Sequence, residues 1–287
     1  MFSTYEEAIG WLEIEHTGLV ETVHHALRHG FDTHAWGLAW TLGVYFDRRG
    51  HASDRLHTSE AGLQATARLG DREAEALMRT SIGYAHARIG HFSEAEEQLL
   101  QALTLLRRLG SEVHEANALI ALGVVHEEQD RYGEAKEHLE RALHLHKRHH
   151  EKAGQAHALE NLGWCHAHLG EYPEAVETCS AALKLFQDLN DRDGEADTLD
   201  SIGYTYAELG NHEQARTHYE SALTLWRAMG NRYDEADVLT RIGDSYAASG
   251  DQQAAREAWQ QALIIFDELV QPDAQLLRAK LERQQSC

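Results

Sequence analysis

Apolar residues recur along this chain at intervals that are typical of amphipathic helices. In residues 71–110 one apolar series runs from Leu77 to Ile89, and a second runs from Phe92 to Leu106 after a Gly-His break. Spacings of three and four positions place such side chains on one face of an α-helix. The pattern predicts two amphipathic helices in this segment, each of about 18 residues and about 27 Å in length.

The same pattern repeats at a fixed interval, and a column of glycines marks it. Every one of these marker glycines follows Leu or Ile, and successive members are 40 positions apart: Gly43, Gly83, Gly123, Gly163, Gly203 and Gly243. Self-similarity at a fixed period indicates a stack of supersecondary units, each of which packs on its neighbours. We therefore interpret the chain as a series of helical hairpins.

Columns of alanine predict how the two helices of a hairpin meet. Alanine occurs 12 and 19 positions after the marker glycine in every unit except the first, which has Arg55 and Gly62 there. Small residues allow two helix backbones to approach closely. We expect the glycine to face the two alanines, large side chains such as Leu99 and Tyr219 to fill the space between units, and the first unit to be irregular.

The repeats divide the chain into three predicted parts. Residues 1–30 are expected to form an N-terminal helical pair, which would be a partial and atypical repeat. Residues 31–270 contain six helix-turn-helix repeats of this period, and residues 271–287 form a C-terminal capping helix. The chain has only two prolines, Pro173 and Pro272, which agrees with helix almost throughout.

Composition and charge restrict the classes of function. The formal net charge of −21 argues against a nucleic-acid-binding surface, because phosphate contacts require Lys and Arg. No apolar run approaches the roughly 18 residues that a membrane-spanning helix needs. The first residues lack the basic start and apolar stretch of a secretory signal. We expect a cytoplasmic protein that binds neither nucleic acid nor membrane directly.

Residues with the chemistry of a catalytic site are sparse. The three cysteines, Cys165, Cys179 and Cys287, form no CxxC pair, and we expect reduced thiols. No Gly-x-Ser-x-Gly elbow occurs, and paired carboxylates such as Glu127 and Glu128 are to be expected by chance in so acidic a chain. The sequence predicts neither an enzyme nor a cofactor.

Histidines are numerous, at 21. Three share one repeat column, where their rings are expected to pack between helices: His86, His126 and His166. Two further pairs lie one helical turn apart: His25 with His29, and His146 with His150. Two imidazoles on one helical face can bind a metal, but a defined site needs further ligands. We therefore expect adventitious surface binding at most, and no metal centre.

The repeat resembles a known family. Leu or Ile before glycine in the first helix, an aromatic residue three positions later, and alanine 12 and 19 positions later are similar to the tetratricopeptide repeat. The period is longer than the usual repeat of about 34 residues, as in long-helix variants of the family. The resemblance implies an all-α fold, a right-handed superhelical solenoid of tetratricopeptide-like hairpins. The strands of a WD40 blade and the Thr-Pro-Leu-His signature of an ankyrin repeat are both missing.

A closer resemblance covers nearly the whole chain, through the segments 11–15, 35–40, 46–50, 161–166, 200–204 and 272–280. They are similar to the C-terminal repeat region of actinobacterial NB-ARC or STAND signal-transduction ATPases, which include antibiotic-regulatory transcription activators. In that family the repeats are the sensor and protein-interaction module. This chain has no GxxxxGK[ST] loop and no basic helix-turn-helix, so ATP hydrolysis and DNA binding do not carry over to it. An excised domain and a standalone protein both remain open.

In tetratricopeptide arrays the first helix of each unit lines a concave groove. The resemblance implies that groove positions lie six and three places before the marker glycine and one and five after it. We call these positions the first-helix stripe, since helical spacing places each foursome on one face. From them, together with the adjacent Asn161, we predict the partner-binding residues Tyr84, Asn117, Glu128, His157, Glu160, Asn161, Trp164, His168, Asp197, Asp200, Tyr204, Glu208, Asp237 and Asp244.

The middle units of this stripe are acidic with aromatic interruptions, which suits a basic or amphipathic protein or peptide. The function that we expect is therefore a non-catalytic sensing module of a bacterial transcriptional or signalling regulator. A standalone scaffold or oligomerisation protein and a quorum-type peptide receptor remain alternatives. A homo-oligomer is also left open. An open groove would favour the sensor, and a sealed groove would favour the scaffold.

Overall fold

The computed structural model describes residues 5–285, and this part of the chain is helical almost throughout, with no strand. Its helices are α1 (Tyr5–Arg28), α2 (Asp32–Arg48), α3 (Ala52–Leu69), α4 (Arg72–Arg88), α5 (Phe92–Leu109), α6 (Glu112–Glu127), α7 (Tyr132–Arg148), α8 (Lys152–His168), α9 (Tyr172–Leu189), α10 (Arg192–Glu208), α11 (His212–Met229), α12 (Arg232–Ala248), α13 (Gln252–Glu268) and α14 (Asp273–Gln285). The all-α fold class is confirmed.

Helices α2 to α13 are six consecutive hairpins, each made of a first and a second helix. They begin at Asp32 and end at Glu268, close to the expected limits of the repeats. Residues 1–30 differ from the expectation, because the described part of this segment is one continuous helix, α1, and not a helical pair. Gly10 and Gly18 lie within its 24 residues, and the left-handed glycine, Gly30, comes only after its end. At the other end, α14 packs on α13 as a single final helix.

The chain divides into two compact units, one ending at Asn161 and the other beginning at Leu162. Unit 1 has two apolar clusters, one around Phe46 and Met78 that joins α1 to α4, and one that joins α4 to α8. The core of unit 2 joins α10 to α14 and contains Tyr219 and Trp259. None of the described helices is both long and apolar enough to span a membrane.

Left-handed residues end many of these helices and allow the chain to reverse within a short turn. Gly70 and Gly230 have φ values of 69° and 70°, a conformation that glycine adopts without a Cβ penalty. Asn190 takes the same place after α9 with φ 55°. The next helix is then capped, for example by Asp71, whose carboxylate accepts a hydrogen bond from the Ala74 amide at 3.0 Å.

The marker glycines lie in the seam between the two helices of a hairpin, against the side chain 16 positions later. A Cβ added to Gly203 would lie 2.5 Å from Tyr219 Cε1, and one added to Gly83 would lie 2.6 Å from Leu99 Cγ. The same contact pairs Gly123 with Leu139, Gly163 with Cys179 and Gly243 with Trp259. The expectation that the two alanines face the glycine is therefore wrong in one respect, because a larger residue between them occupies that contact.

The first hairpin lacks this contact, as its irregular sequence predicts. The residue 16 positions after Gly43 is Ser59, and a Cβ on Gly43 would meet Ser81 Oγ only at 3.7 Å. The Ser59 hydroxyl donates to Ser81 Oγ at 2.9 Å, and Arg55 Nε donates to the same oxygen at 3.1 Å. The seam between α2 and α3 is therefore polar where the later seams hold a large side chain or a thiol.

The cysteines agree with the expectation of reduced thiols where the structure describes them. Cys165 and Cys179 form no disulfide, and both side chains are fully buried. Cys287 lies outside the described residues.

Candidate partner-binding site

Three ring side chains from α8 and α10 form the centre of the first-helix stripe in unit 2. Trp164 and His168 lie one turn apart on α8, with ring centroids 4.4 Å apart. The ring of Tyr204, on α10, lies 5.0 Å from each of them and is stacked on His168 at 18°. All three side chains are only partly buried. This aromatic cluster therefore offers accessible ring surface with polar edges, the combination that tyrosine and tryptophan bring to interfaces.

An arginine lies next to the aromatic cluster. Arg241 of α12 places Nη1 3.0 Å from Asp200 Oδ2 and Nη2 3.0 Å from Asp237 Oδ2. Its guanidinium carbon lies 5.9 Å from the centre of the Trp164 ring, within the range of a cation–π contact. We call Arg241, Asp200, Asp237 and Trp164 the arginine cage. Two carboxylates and an aromatic face thus surround one guanidinium.

Burial controls the protonation of this cage. It raises the pKa of Asp200 to about 6, and the nearby Arg241 opposes that rise only in part. Burial alone would lower the pKa of Arg241, but Asp200 and Asp237 more than compensate and raise it. Arg241 is therefore a permanent cation, whereas Asp200 gains a proton under mildly acidic conditions.

Sequence reasoning missed Arg241. It lies two positions before the marker glycine, outside the four stripe columns, where other units have Thr, Ser, Ala or Asn. One signal could have identified it: it follows Asp237 by four positions, a spacing at which opposite charges meet on a helix. Because Arg241 is ion-paired to Asp200 and Asp237, the stripe in unit 2 is less negative than its carboxylates alone suggest.

The remaining predicted carboxylates of unit 2 have different surroundings. Asp197 and Glu208 are exposed on α10. Asp244 accepts hydrogen bonds from Trp259 Nε1 at 3.0 Å and from Lys280 Nζ at 2.6 Å. Lys280 belongs to α14, so Asp244 connects the last hairpin to the final helix. We call Asp197 and Glu208, the exposed predicted carboxylates of α10, the acidic rim.

The predicted residues of unit 1 form separate contacts. The guanidinium carbon of Arg55 lies 4.4 Å from the Tyr84 ring centre, and burial is the largest cause of the raised pKa of Tyr84. Glu128 lies 3.7 Å from Arg88, and both are exposed. Asn117 is half-buried on α6. Tyr84 and Glu128 are thus already engaged by cations of the chain itself.

Three further predicted residues lie on the part of α8 that belongs to unit 1. Asn161 Nδ2 donates to Glu160 Oε2 at 3.0 Å and to the backbone oxygen of His157 at 2.7 Å. Burial raises the pKa of Glu160 to about 7. The imidazole of His157 is exposed. Glu160 therefore carries only part of a negative charge near neutral pH.

Solved structures with the same fold include a signal-transduction ATPase, a Rap protein and a quorum sensor. The chain is similar to the STAND protein with a tetratricopeptide repeat sensor PH0952 from Pyrococcus horikoshii, at 16% identity and a TM-score of 0.70 over 96% of this chain and 40% of that chain. It is also similar to a Rap protein complexed with Competence and Sporulation Factor, at 14% identity and a TM-score of 0.66 over 88% and 74% of the two chains. The quorum sensor NprR from B. thuringiensis aligns at 15% identity and a TM-score of 0.59 over 91% and 83%.

Identities this low show the fold alone. Among curated proteins, none matches the sequence. The tetratricopeptide repeat model, in contrast, matches four overlapping segments, residues 72–148, 115–188, 154–228 and 195–268. Together they span about two thirds of the chain, and they include the five hairpins in which the marker glycine meets a side chain of the second helix. The chain belongs to the tetratricopeptide repeat family.

Proposed function

We propose that this chain is a non-catalytic module that binds a protein or peptide on the aromatic cluster of unit 2 and its acidic rim. One observation carries the proposal: Trp164, His168 and Tyr204 form a continuous, partly exposed ring surface across two first helices. Aromatic residues in such positions are the usual anchors of an interface, because they desolvate a large area on contact. Asp197 and Glu208 lie on the same helix as Tyr204.

The arginine cage indicates what chemistry the partner presents. Within it, a guanidinium already lies between two carboxylates and faces the Trp164 ring. The surroundings of the aromatic cluster thus suit a planar cation next to a ring. A partner with arginine or lysine beside an apolar side chain would contact the rings and meet the acidic rim. The partner is therefore a basic or amphipathic segment.

The comparisons support a sensing role in regulation. PH0952 is named a STAND protein with a repeat sensor, one Rap protein was solved with Competence and Sporulation Factor, and NprR is named a quorum sensor. We propose the same role for the present chain: it is the sensor module of a cytoplasmic bacterial regulator, of the actinobacterial STAND type. A quorum-type receptor for a free peptide is the second candidate, since NprR is named a quorum sensor.

The experiment starts from a phage-displayed library of short random peptides selected on the whole chain. The recovered peptides are titrated by calorimetry against wild type, Trp164→Ala and Glu208→Lys. We expect the peptides to be rich in Arg, Lys and aromatic residues. Trp164→Ala should weaken binding by about thirtyfold or more, since hot-spot truncations cost about 2 kcal/mol or more. Glu208→Lys should weaken it less, by an amount that shrinks as salt rises.

The matched control is Glu177→Lys, an equal charge reversal on α9, a second helix. It should leave the affinity within about twofold of wild type, as remote surface substitutions usually do. If all three variants bind the selected peptides as wild type does, the aromatic cluster is not the binding surface. Selection that enriches no sequence, together with self-association that the variants leave unchanged, would favour the scaffold or oligomerisation protein.

A further inference from the structure

A second cluster of polar side chains lies in unit 1, outside the first-helix stripe. It consists of His16 from α1, His51 in the turn before α3, and Asp54 in the first turn of α3. One ligand atom from each lies within 4.8 Å of the others. His16 Nε2 is 2.9 Å from Asp54 Oδ2, and the two imidazole centroids are 4.3 Å apart at 69°. Two imidazoles and one carboxylate therefore converge on a single point.

The second nitrogen of His16 also has a partner. His16 Nδ1 lies 3.2 Å from the hydroxyl oxygen of Tyr45, which is buried near the end of α2. Histidine ligands of metal sites almost always donate their second ring N–H to an oxygen atom, which fixes the tautomer and the orientation of the ring. Without a metal, the contact with Asp54 requires Nε2–H to donate to the carboxylate, and Nδ1 accepts from the Tyr45 hydroxyl. In the other tautomer Nδ1–H donates to the Tyr45 oxygen, which leaves the lone pair of Nε2 for a metal ion. His16 is thus oriented as a ligand would be.

We propose that His16, His51 and Asp54 bind one divalent transition-metal ion of the zinc type, with a fourth position open to water. Open zinc sites use three protein ligands drawn from histidine and carboxylate, with bonds of about 2.0–2.2 Å. Calcium and magnesium prefer sites made of oxygen atoms alone, so two imidazoles select against them. The three ligand atoms already lie within 4.8 Å of one another. Small side-chain rotations would bring all three to bonding distance of one ion.

Two cations flank the cluster, and each is paired with a carboxylate. Arg49 and Arg55 are its neighbours in sequence, and each is already ion-paired. Arg49 pairs with Glu13, and Arg55 Nη1 lies 3.4 Å from Asp47 Oδ1. The two guanidinium groups are thus balanced by two carboxylates, and Asp54 is available to offset the charge of the ion.

Because of where the cluster lies, a bound ion would also stabilise the structure. Helix α1 precedes the first hairpin and has no hairpin partner of its own. One ligand on α1 and two at the start of α3 would fasten this helix to the first hairpin. Because the site is assembled only in the folded chain, binding should raise the melting temperature as metal is added.

The test uses the full chain, freed of metal by dialysis against EDTA and titrated with zinc chloride and with cobalt chloride. The parent for this test carries His25→Gln and His29→Gln, since that stacked pair is a competing surface site. We expect one zinc ion per chain, visible Co²⁺ absorption of the four-coordinate type, and a rise in melting temperature. His51→Gln should weaken zinc binding by tenfold or more and remove most of the thermal shift.

Two variants keep the result interpretable. Asp54→Asn retains a polar partner for His16, so it should fold by circular dichroism and still lose zinc affinity. His57→Gln, on the same helix but outside the cluster, is the matched control and should bind zinc as the parent does. The proposal is overturned if the parent takes up no zinc, or if folded His51→Gln and Asp54→Asn bind zinc as the parent does. In either case the cluster is an ordinary histidine–aspartate contact between helices.

Discussion

The first and last hairpins of the repeat series share a marker glycine but pack it in opposite ways. In α12/α13, Gly243 lies against the indole of Trp259, which is 5% exposed. In α2/α3, Gly43 has room for a Cβ and lies beside a hydrogen-bonded group of Ser59, Ser81 and Arg55. The glycine column alone therefore does not define the seam. The side chain that the second helix places there decides whether the glycine is required or merely tolerated.

Truncating the side chain that the second helix places in the seam should give the largest difference in stability between the two hairpins. Trp259→Ala should destabilise by about 3–5 kcal/mol, as burial is lost and a cavity remains. Ser59→Ala should cost only about 1 kcal/mol, since one buried hydrogen bond to Ser81 is lost. Urea denaturation followed by circular dichroism measures both. Equal losses would show that the first seam is as tightly packed as the last.

Adding a methyl group should change stability in opposite directions in the two seams. Gly243→Ala places a Cβ too close to the Trp259 ring, and overpacking of about 1–3 kcal/mol outweighs the gain in helix propensity. Gly43→Ala meets Ser81 Oγ only at 3.7 Å, so the helix propensity of alanine should stabilise by up to about 1 kcal/mol. Thermal melts of the two variants test the difference in sign. Destabilisation of similar size in both would contradict it.

A smaller effect concerns the pH dependence of stability. Beside the later seams, Asp200 has a folded-state pKa of about 6, above its ordinary value of 3.8. Between these values the folded state binds more protons than the unfolded state, so the contribution of Asp200 to the free energy of unfolding should fall as pH rises from 4 to 6 and then level off. The change should be on the order of 1–2 kcal/mol.

Asp200→Asn should reduce this slope, whatever it does to stability at a fixed pH, and the slope that remains belongs to Glu160, whose pKa burial raises to about 7. Asp197→Asn, which alters an exposed carboxylate of the same helix, is the control and should keep the slope. Urea midpoints at pH 4.5, 5.5 and 7 are sufficient. The assignment to Asp200 is wrong if its variant and the control show the same pH dependence.

Local sequence patterns predicted the parts of the fold that depend on local spacing. The fixed repeat period and the glycine breaks predicted six hairpins, and the family match confirms the tetratricopeptide repeat. The contact partner of the marker glycine was assigned to alanine because small residues suggest close approach. The structure places the larger residue there, since glycine leaves space for a side chain as large as the indole of Trp259.

The candidate site was predicted only where its residues share columns of the repeat. Trp164, His168 and Tyr204 were identified because the resemblance to tetratricopeptide arrays implies the groove columns, and helical spacing places each foursome on one face. Arg241 was missed, because its role depends on contacts with α8 and α10 that no local spacing encodes. The metal-type cluster of unit 1 was missed for the same reason, since its ligands come from α1 and from the start of α3, with the whole of α2 between them.

The contact between Gly163 and Cys179 also makes the sulfur a reporter of local opening. The Cys179 thiol is fully buried against Gly163 of α8, and Cys165, which is itself on α8, is also fully buried. A thiol-reactive dye can reach the Cys179 sulfur only when this hairpin opens, so the rate of labelling in native buffer would measure how often it opens. A peptide that binds should then slow the labelling reaction, by a factor that measures how strongly the peptide stabilises the closed hairpin. The chain thus carries its own kinetic probe beneath the surface that we propose for binding.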